Sequence, residues 1–266
     1  MYETSYHRAG SVAEAAALMA KAEDGKFLSG GQTLIPTMKQ RLAAPSDLID
    51  LRSVEEMKGI SEDGGTVTIG AATAHYDVAT SEVVQRLIPG LASLAGGIGD
   101  PAVRYMGTIG GSIANNDPAA DYPSALVALG AAVTTNKRSL SAEEFFTGMF
   151  ETALDEDEIV TSVSFPVPEK SAYAKYPNPA SRYAMAGVFV AKAKDGGVRV
   201  AVTGAGQDGV FRVADMETAL SGNWSADAVA GVTVGSDDLL SDIHGSADYR
   251  ANLVTVMAKR AVAAAG

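Results

Sequence analysis

Gly107-Thr108-Ile109-Gly110-Gly111-Ser112-Ile113-Ala114-Asn115-Asn116-Asp117-Pro118-Ala119-Ala120-Asp121 is the most informative run in this chain. Glycine lets a backbone approach an anion closely and adopt φ > 0, so that successive N–H groups can point at phosphate oxygens. Thr108 and Ser112 add hydroxyl donors. Far upstream, Ser29-Gly30-Gly31-Gln32-Thr33-Leu34-Ile35-Pro36 has the same make-up, with Thr33 as its hydroxyl. Two such segments facing each other can clamp both halves of a pyrophosphate through main-chain amides. With 21 Lys+Arg against 32 Asp+Glu, the formal charge is −11. A field of that sign repels phosphate, so a phosphate site here needs local donor density. Each Gly pair taken alone also reads as a tight turn. Downstream, Asn115 and Asn116 can satisfy turn backbone and Asp121 can accept from a sugar hydroxyl; equally, the run can cap a helix starting at Pro123.

Working outward, the pattern is α+β. Ser11-Val12-Ala13-Glu14 reads as a capping box, followed by an apolar helical stripe through Val12, Ala15, Ala16 and Met19. Lys26–Leu28 is a short strand running into the first glycine segment, with a helix expected around Thr37–Leu42 and a strand at Leu48–Leu51. A second unit opens at the turn Glu62-Asp63-Gly64-Gly65. It holds a strand at Thr66–Ala71, helices at Val78–Leu87 and Gly90–Gly97, the glycine-rich stretch as a loop, a helix at Pro123–Leu129 and a strand at Ala131–Thr135. Ser141-Ala142-Glu143-Glu144 is a further capping box, and Ile159–Phe165 is the closing strand. Pro166, Pro168, Pro177 and Pro179 mark the crossing into a third unit. There Gly187–Lys194 and Val198–Thr203 flank Asp195-Gly196-Gly197, a hairpin signature. Two helices are expected to finish the chain, the last from about Ser246 with Leu253, Met257 and Ala261 on one stripe. The units divide as 1–57, 58–170 and 171–266.

Other motifs fail on context. Gly204-Ala205-Gly206-Gln207-Asp208-Gly209 fits G-x-G-x-x-G, but Ser221–Ser225 offers no second strand ending in an acid, and the unit is entered by a hairpin. It reads as a strand-to-helix turn. Gly110–Ala114 misses the last glycine of a nucleophile elbow. His7, His75 and His244 have no metal-ligand spacing and read as surface or helix-start residues. Asp155–Glu158 lacks the glycine and terminal acid of a calcium loop and reads as a solvated turn. With no cysteine, the chain offers neither disulfides nor ligands for iron–sulfur clusters. Apolar residues at 47% support a substantial core rather than disorder. No long uncharged apolar run suggests a transmembrane helix and no basic block suggests nucleic-acid binding, so a cytoplasmic protein is the expectation.

The two glycine segments, with Asp117-Pro118-Ala119-Ala120-Asp121 behind the second, resemble the FAD-binding medium subunits of molybdenum hydroxylases, the group that includes aerobic carbon monoxide dehydrogenase and multi-subunit xanthine dehydrogenase. The similarity extends over essentially the whole chain. It implies two α+β subdomains enclosing FAD, in the fold of the vanillyl-alcohol oxidase/CO dehydrogenase flavoprotein type, plus a C-terminal domain with a small antiparallel sheet and helices. By the same resemblance, Ser29, Gly30, Gly31, Gln32, Thr33 and Leu34, with Thr108, Ile109, Gly110, Gly111 and Ser112, hold the pyrophosphate. Asn115 follows in the same motif, and Asp121 binds the flavin nucleotide. Ile98 falls near the isoalloxazine ring, Ile159 and Val160 border the cofactor, and Lys175 and Tyr183 lie in a loop approaching the ring. Many relatives carry His-Ser where this chain has Gln32-Thr33; both pairs keep hydrogen-bond donors. The implied partners are a 2Fe–2S small subunit and a molybdopterin-containing large subunit, as a dimer of heterotrimers, with NAD, a quinone or oxygen as acceptor. Two other readings stand beside it: an autonomous FAD oxidoreductase of the same fold, and a non-enzymatic module binding a phosphorylated ligand.

Overall fold

The computed structural model describes residues 1–266. The first unit alternates strand and helix: β1 (Ser5–Arg8), α1 (Val12–Met19), β2 (Gly25–Leu28), α2 (Leu34–Lys39) and β3 (Asp47–Asp50). Helical crossovers between successive strands force parallel pairing, and the sheet order is β1-β3-β2. Ser11 Oγ caps α1 by accepting from Glu14 N–H. Helix α2 starts earlier than the sequence suggested, because Pro36 sits in its first turn, where proline's missing N–H costs nothing.

The second unit comprises β4 (Ile60–Asp63), β5 (Thr66–Gly70), α3 (His75–Thr80), α4 (Glu82–Leu87), α5 (Pro89–Gly96), α6 (Pro101–Met106), α7 (Ile109–Asn115), α8 (Tyr122–Leu129), β6 (Ala132–Thr135), β7 (Ser139–Ser141), α9 (Ala142–Phe145), β8 (Phe146–Gly148), β9 (Glu151–Thr152) and β10 (Val160–Pro166). Its antiparallel sheet runs β4-β5-β10-β6-β7. The single helix expected over 78–87 is two, since Ser81 ends α3 and caps α4 through Val84 N–H. The stretch read as a glycine-rich loop is mostly helix: Thr108 caps α7, taking Gly111 N–H on its hydroxyl.

The third unit holds β11 (Lys170–Pro177), β12 (Ala184–Lys192), β13 (Val198–Thr203), β14 (Phe211–Arg212), α10 (Ala214–Gly222), α11 (Ala226–Ala230) and α12 (Ala247–Ala265). Its sheet order is β11-β12-β13-β14, with β12 and β13 antiparallel as the hairpin signature implied. Gly204–Gly209 links β13 to β14, a strand-to-strand turn rather than a strand-to-helix one. The chain ends on three helices, not two, and α12 buries Leu253, Met257 and Ala261.

Helix α8, apolar apart from Ser124 and the Tyr122 hydroxyl, is buried along its whole length, as a helix with apolar residues on every face has to be. It packs against β12 and β13, while α12 covers β12 as well. Strand β12 is thus buried at every position but its last and reads without alternation. One apolar core spans the first two units and takes in Phe189, Ala191 and Ala201 from the third; a second core lies between the third unit's sheet and its helices. No helix is long and apolar enough to cross a membrane.

Candidate functional site

A cavity of about 660 Å³ opens where the three units meet, within the usual size of small-molecule sites. Ser29, Gly30, Gly31, Gln32, Thr33 and Leu34 line it from the β2–α2 turn. Ile98, Thr108, Gly110, Gly111, Ser112, Asn115, Asp121, Ile159 and Val160 line it from the second unit, and Tyr183 from the third. Two residues expected there stand behind the wall instead, Ile109 within the core and Lys175 on β11.

The two glycine segments touch. Ser29 Oγ and Thr108 Oγ1 are 2.9 Å apart. A Cβ on Gly30 would overlap the Met106 carbonyl and stand 2.6 Å from Gly107 Cα, so backbone lies directly on backbone. Gly31 turns the chain from β2 into α2 at φ 69°. The N–H groups of Gly30 to Thr33 donate to no acceptor in the protein, although Gly30 is buried. Buried donors are almost always paired, so the Gly30 N–H calls for an acceptor from outside the chain, and the three amides after it are free to bond an anion's oxygens.

The second segment is built differently, which corrects the expectation of two main-chain cradles. Ile109 N–H donates to Thr73 O, Gly110 N–H to Ala71 O, Gly111 N–H to Thr108 Oγ1 and Ser112 N–H to Thr108 O. With its amides engaged inside the fold, this side offers hydroxyls and close backbone approach.

Asp121 does not cap α8. Its carboxylate is buried and takes a hydrogen bond from Tyr173 hydroxyl (2.5 Å) and an ion pair from Lys175 Nζ (3.0 Å), whose third contact is Gly97 O (2.9 Å). Burial pushes the Asp121 carboxyl up, opposed by the Lys175 ammonium and the Tyr173 hydroxyl. Burial, then Asp121, drives the Tyr173 phenol far above its ordinary range. The arrangement ties β11 to the end of α5 and the start of α8.

Two wall features escaped the sequence reading. Glu158, read as part of a solvated turn, has a fully enclosed side chain gripped by Arg138 (3.0 and 2.8 Å) and Thr135 (2.6 Å). Arg138 above all holds its carboxyl down to about 2. His75 does start a helix, yet it is buried in the cavity wall. Asn116 lies outside the cavity; at φ 42° its side-chain amide donates to Gly148 O and Glu151 O, satisfying backbone as an asparagine there can. No group of acidic, His or Cys side chains could hold a metal ion.

The fit to a dinucleotide rests on the unpaired amide row, the hydroxyls opposite it and a cavity continuing past both. Comparison with known proteins agrees. Residues 2–168 match the model of the FAD binding domain in molybdopterin dehydrogenase. The carbon monoxide dehydrogenase medium chain of Hydrogenophaga pseudoflava is 35% identical, covering 98% of this chain and 96% of that protein. The nicotine 6-hydroxylase medium subunit of Paenarthrobacter nicotinovorans is likewise 35% identical, at 98% and 96% coverage. Among solved structures, a chain of the reconstituted CO dehydrogenase from Oligotropha carboxidovorans superposes with a TM-score of 0.89 at 34% identity, covering 99% of this chain and 97% of that one. The chain belongs to the family of FAD-binding domains of molybdopterin dehydrogenases, and its cofactor is FAD.

Proposed function

We propose that this chain is the FAD-carrying electron-transfer subunit of a heteromeric molybdenum hydroxylase. It receives electrons from a 2Fe–2S partner, while a molybdopterin-containing partner oxidises the substrate. The observation that carries this reading is the meeting of Gly30–Thr33 and Thr108–Ser112 over one cavity, in a chain with no cysteine to hold a cluster of its own. Relatives named as medium subunits over nearly their full length favour it above the autonomous oxidoreductase and the phosphate-binding module.

FAD, when bound, supplies the capacity to take electrons singly or in pairs. The protein's own part is binding and orientation. The Gly30–Thr33 amides hold the diphosphate, aided by the Thr108 and Ser112 hydroxyls. Ile98 and Tyr183 border the ring, Ile159 and Val160 enclose another part of the cofactor, and Asp121, braced by Tyr173 and Lys175, faces the nucleotide. The subdomains are 1–57 and 58–170, with 171–266 closing the cavity. We further assign the complex to the cytoplasm as a dimer of heterotrimers, delivering electrons to NAD, a quinone or oxygen.

Purification from the native source tests this. The expected result is a yellow chain co-eluting with iron–sulfur and molybdenum subunits. A flavin-bearing chain that elutes alone and turns over its own substrate replaces this reading with the autonomous enzyme.

A further inference from the structure

His75 opens α3, and its side chain is buried in the cavity wall together with Ile98, Gly99, Val103, Gly107 and Thr108. Its backbone N–H donates to Gly107 O (2.9 Å), fixing the helix start to the segment that leads into Thr108. The ring lies over Gly107, since a Cβ there would stand 2.6 Å from Nε2. The Tyr122 ring flanks it with centroids 5.4 Å apart. Nδ1 is enclosed and has no hydrogen-bond partner, which leaves Nε2 as the nitrogen on the cavity side. Burial, and then the Arg104 guanidinium, hold the imidazole down to about 4. At neutral pH the ring is therefore uncharged, with one donor and one acceptor nitrogen. Nε2 makes no hydrogen bond within the protein and is free to bond a group that enters the cavity. The imidazole lies on Gly107, next in sequence to Thr108, and so borders the segment assigned to the diphosphate.

We infer that His75 is a further FAD-contacting residue, with Nε2 hydrogen-bonding an oxygen of the cofactor's ribityl–diphosphate chain. This rests on the FAD reading above and adds to it a residue that sequence reasoning set aside. The contact contributes direction without charge. It fixes the middle of a long flexible cofactor against the second unit, opposite the amide row of the first. The rival account makes His75 a packing residue that only shapes Gly107 and the start of α3.

The chain has three histidines, His7, His75 and His244, so its imidazole resonances can be followed one by one in nitrogen–proton correlation spectra of the full chain. His7→Gln and His244→Gln assign the third signal without touching His75. FAD is then titrated into flavin-free protein. The expected result is that the His75 Nε2 signal moves on binding while His7 and His244 stay put. By quenching of flavin fluorescence, His75→Phe should raise the FAD Kd about 3- to 10-fold, the worth of one neutral hydrogen bond, and His75→Gln should recover part of the loss. Bound FAD with an unmoved His75 signal overturns the inference and leaves the FAD assignment standing, as does a His75→Phe Kd within about twofold of wild type. Wild-type protein that takes up no FAD overturns both. If His75→Phe does not fold, the wild-type spectra alone decide.

Discussion

Alanine at position 30 should pry the two glycine segments apart and loosen the cofactor with them. The added Cβ would overlap the Met106 carbonyl and stand 2.6 Å from Gly107 Cα, against an ordinary contact range beginning at 3.4 Å. The backbones must therefore part by roughly 1 Å to restore normal van der Waals spacing. No rotamer change relieves a clash with main chain, and Gly107 is tied on both sides, its N–H to Val103 O and its carbonyl to His75 N–H. Overpacking of this kind costs roughly 1–3 kcal/mol of stability. An N–H···O bond stretched by that distance is lost. Hydrogen bonds to charged groups contribute about 1.5–3 kcal/mol, so losing one from the diphosphate weakens FAD binding roughly 10- to 100-fold. The assay is titration of flavin-free protein with FAD, followed by fluorescence quenching, with thermal unfolding run in parallel. Gly222→Ala, whose Cβ would meet nothing within 4 Å, controls for the loss of a glycine as such. Gly30→Ala protein with an unchanged Tm and an FAD Kd within about threefold of wild type would refute the cradle and the contact between segments together.

Gly111→Ala should weaken FAD retention less than Gly30→Ala in the same titration, because its Cβ would meet only the Thr108 hydroxyl at 3.0 Å and Ser29 Cβ at 3.8 Å. Tyr173→Phe removes a donor from the buried Asp121 carboxylate and should cost about 1.5–3 kcal/mol in urea unfolding; no loss would mean that Lys175 alone satisfies that carboxylate. The His75 imidazole, held at about 4 against an ordinary 6.5, makes the unfolded chain bind the extra proton between those values. Its contribution of roughly 3 kcal/mol is then complete above pH 6.5 and lost as pH falls toward 4. Chemical unfolding across that window should show the slope in wild type, and the same slope in His75→Phe would assign it elsewhere. Phe165→Ala, at a fully buried position of β10, should destabilise the chain by roughly 3–5 kcal/mol in the same assay.

What could be read in advance was whatever chemistry lies close together in the chain. Ser141 and Glu144 form the reciprocal capping box their spacing implied, and the Asp195-Gly196-Gly197 turn joins two antiparallel strands as its residues demand. The glycine segments stood out because few other uses explain two of them. Helix α7 was hidden for a physical reason: glycine is a poor helix former, and here distant acceptors on Thr73 and Ala71 secure the first turn. Glu158 was hidden in a charge run whose neighbours Asp155 and Asp157 do pair at the surface with Lys137, while Arg138 draws this one acid inward. The partners of Asp121 lie on a strand of the third unit, and no local pattern connects them.

The dispersal of the cavity wall along the polypeptide sets the order of events at the ribosome. Gly30 and Gly31 leave the exit tunnel early, yet Thr108 must follow before they have a counterpart, and Tyr173 and Lys175 must follow again before Asp121 is braced. Flavin capture is thus not an early step in biogenesis, since it waits on segments about 145 residues apart, from Gly30 to Lys175. Ligand that binds only the native state stabilises it by mass action. A cell short of riboflavin should accordingly lose this subunit to proteolysis before it loses the messenger that encodes it.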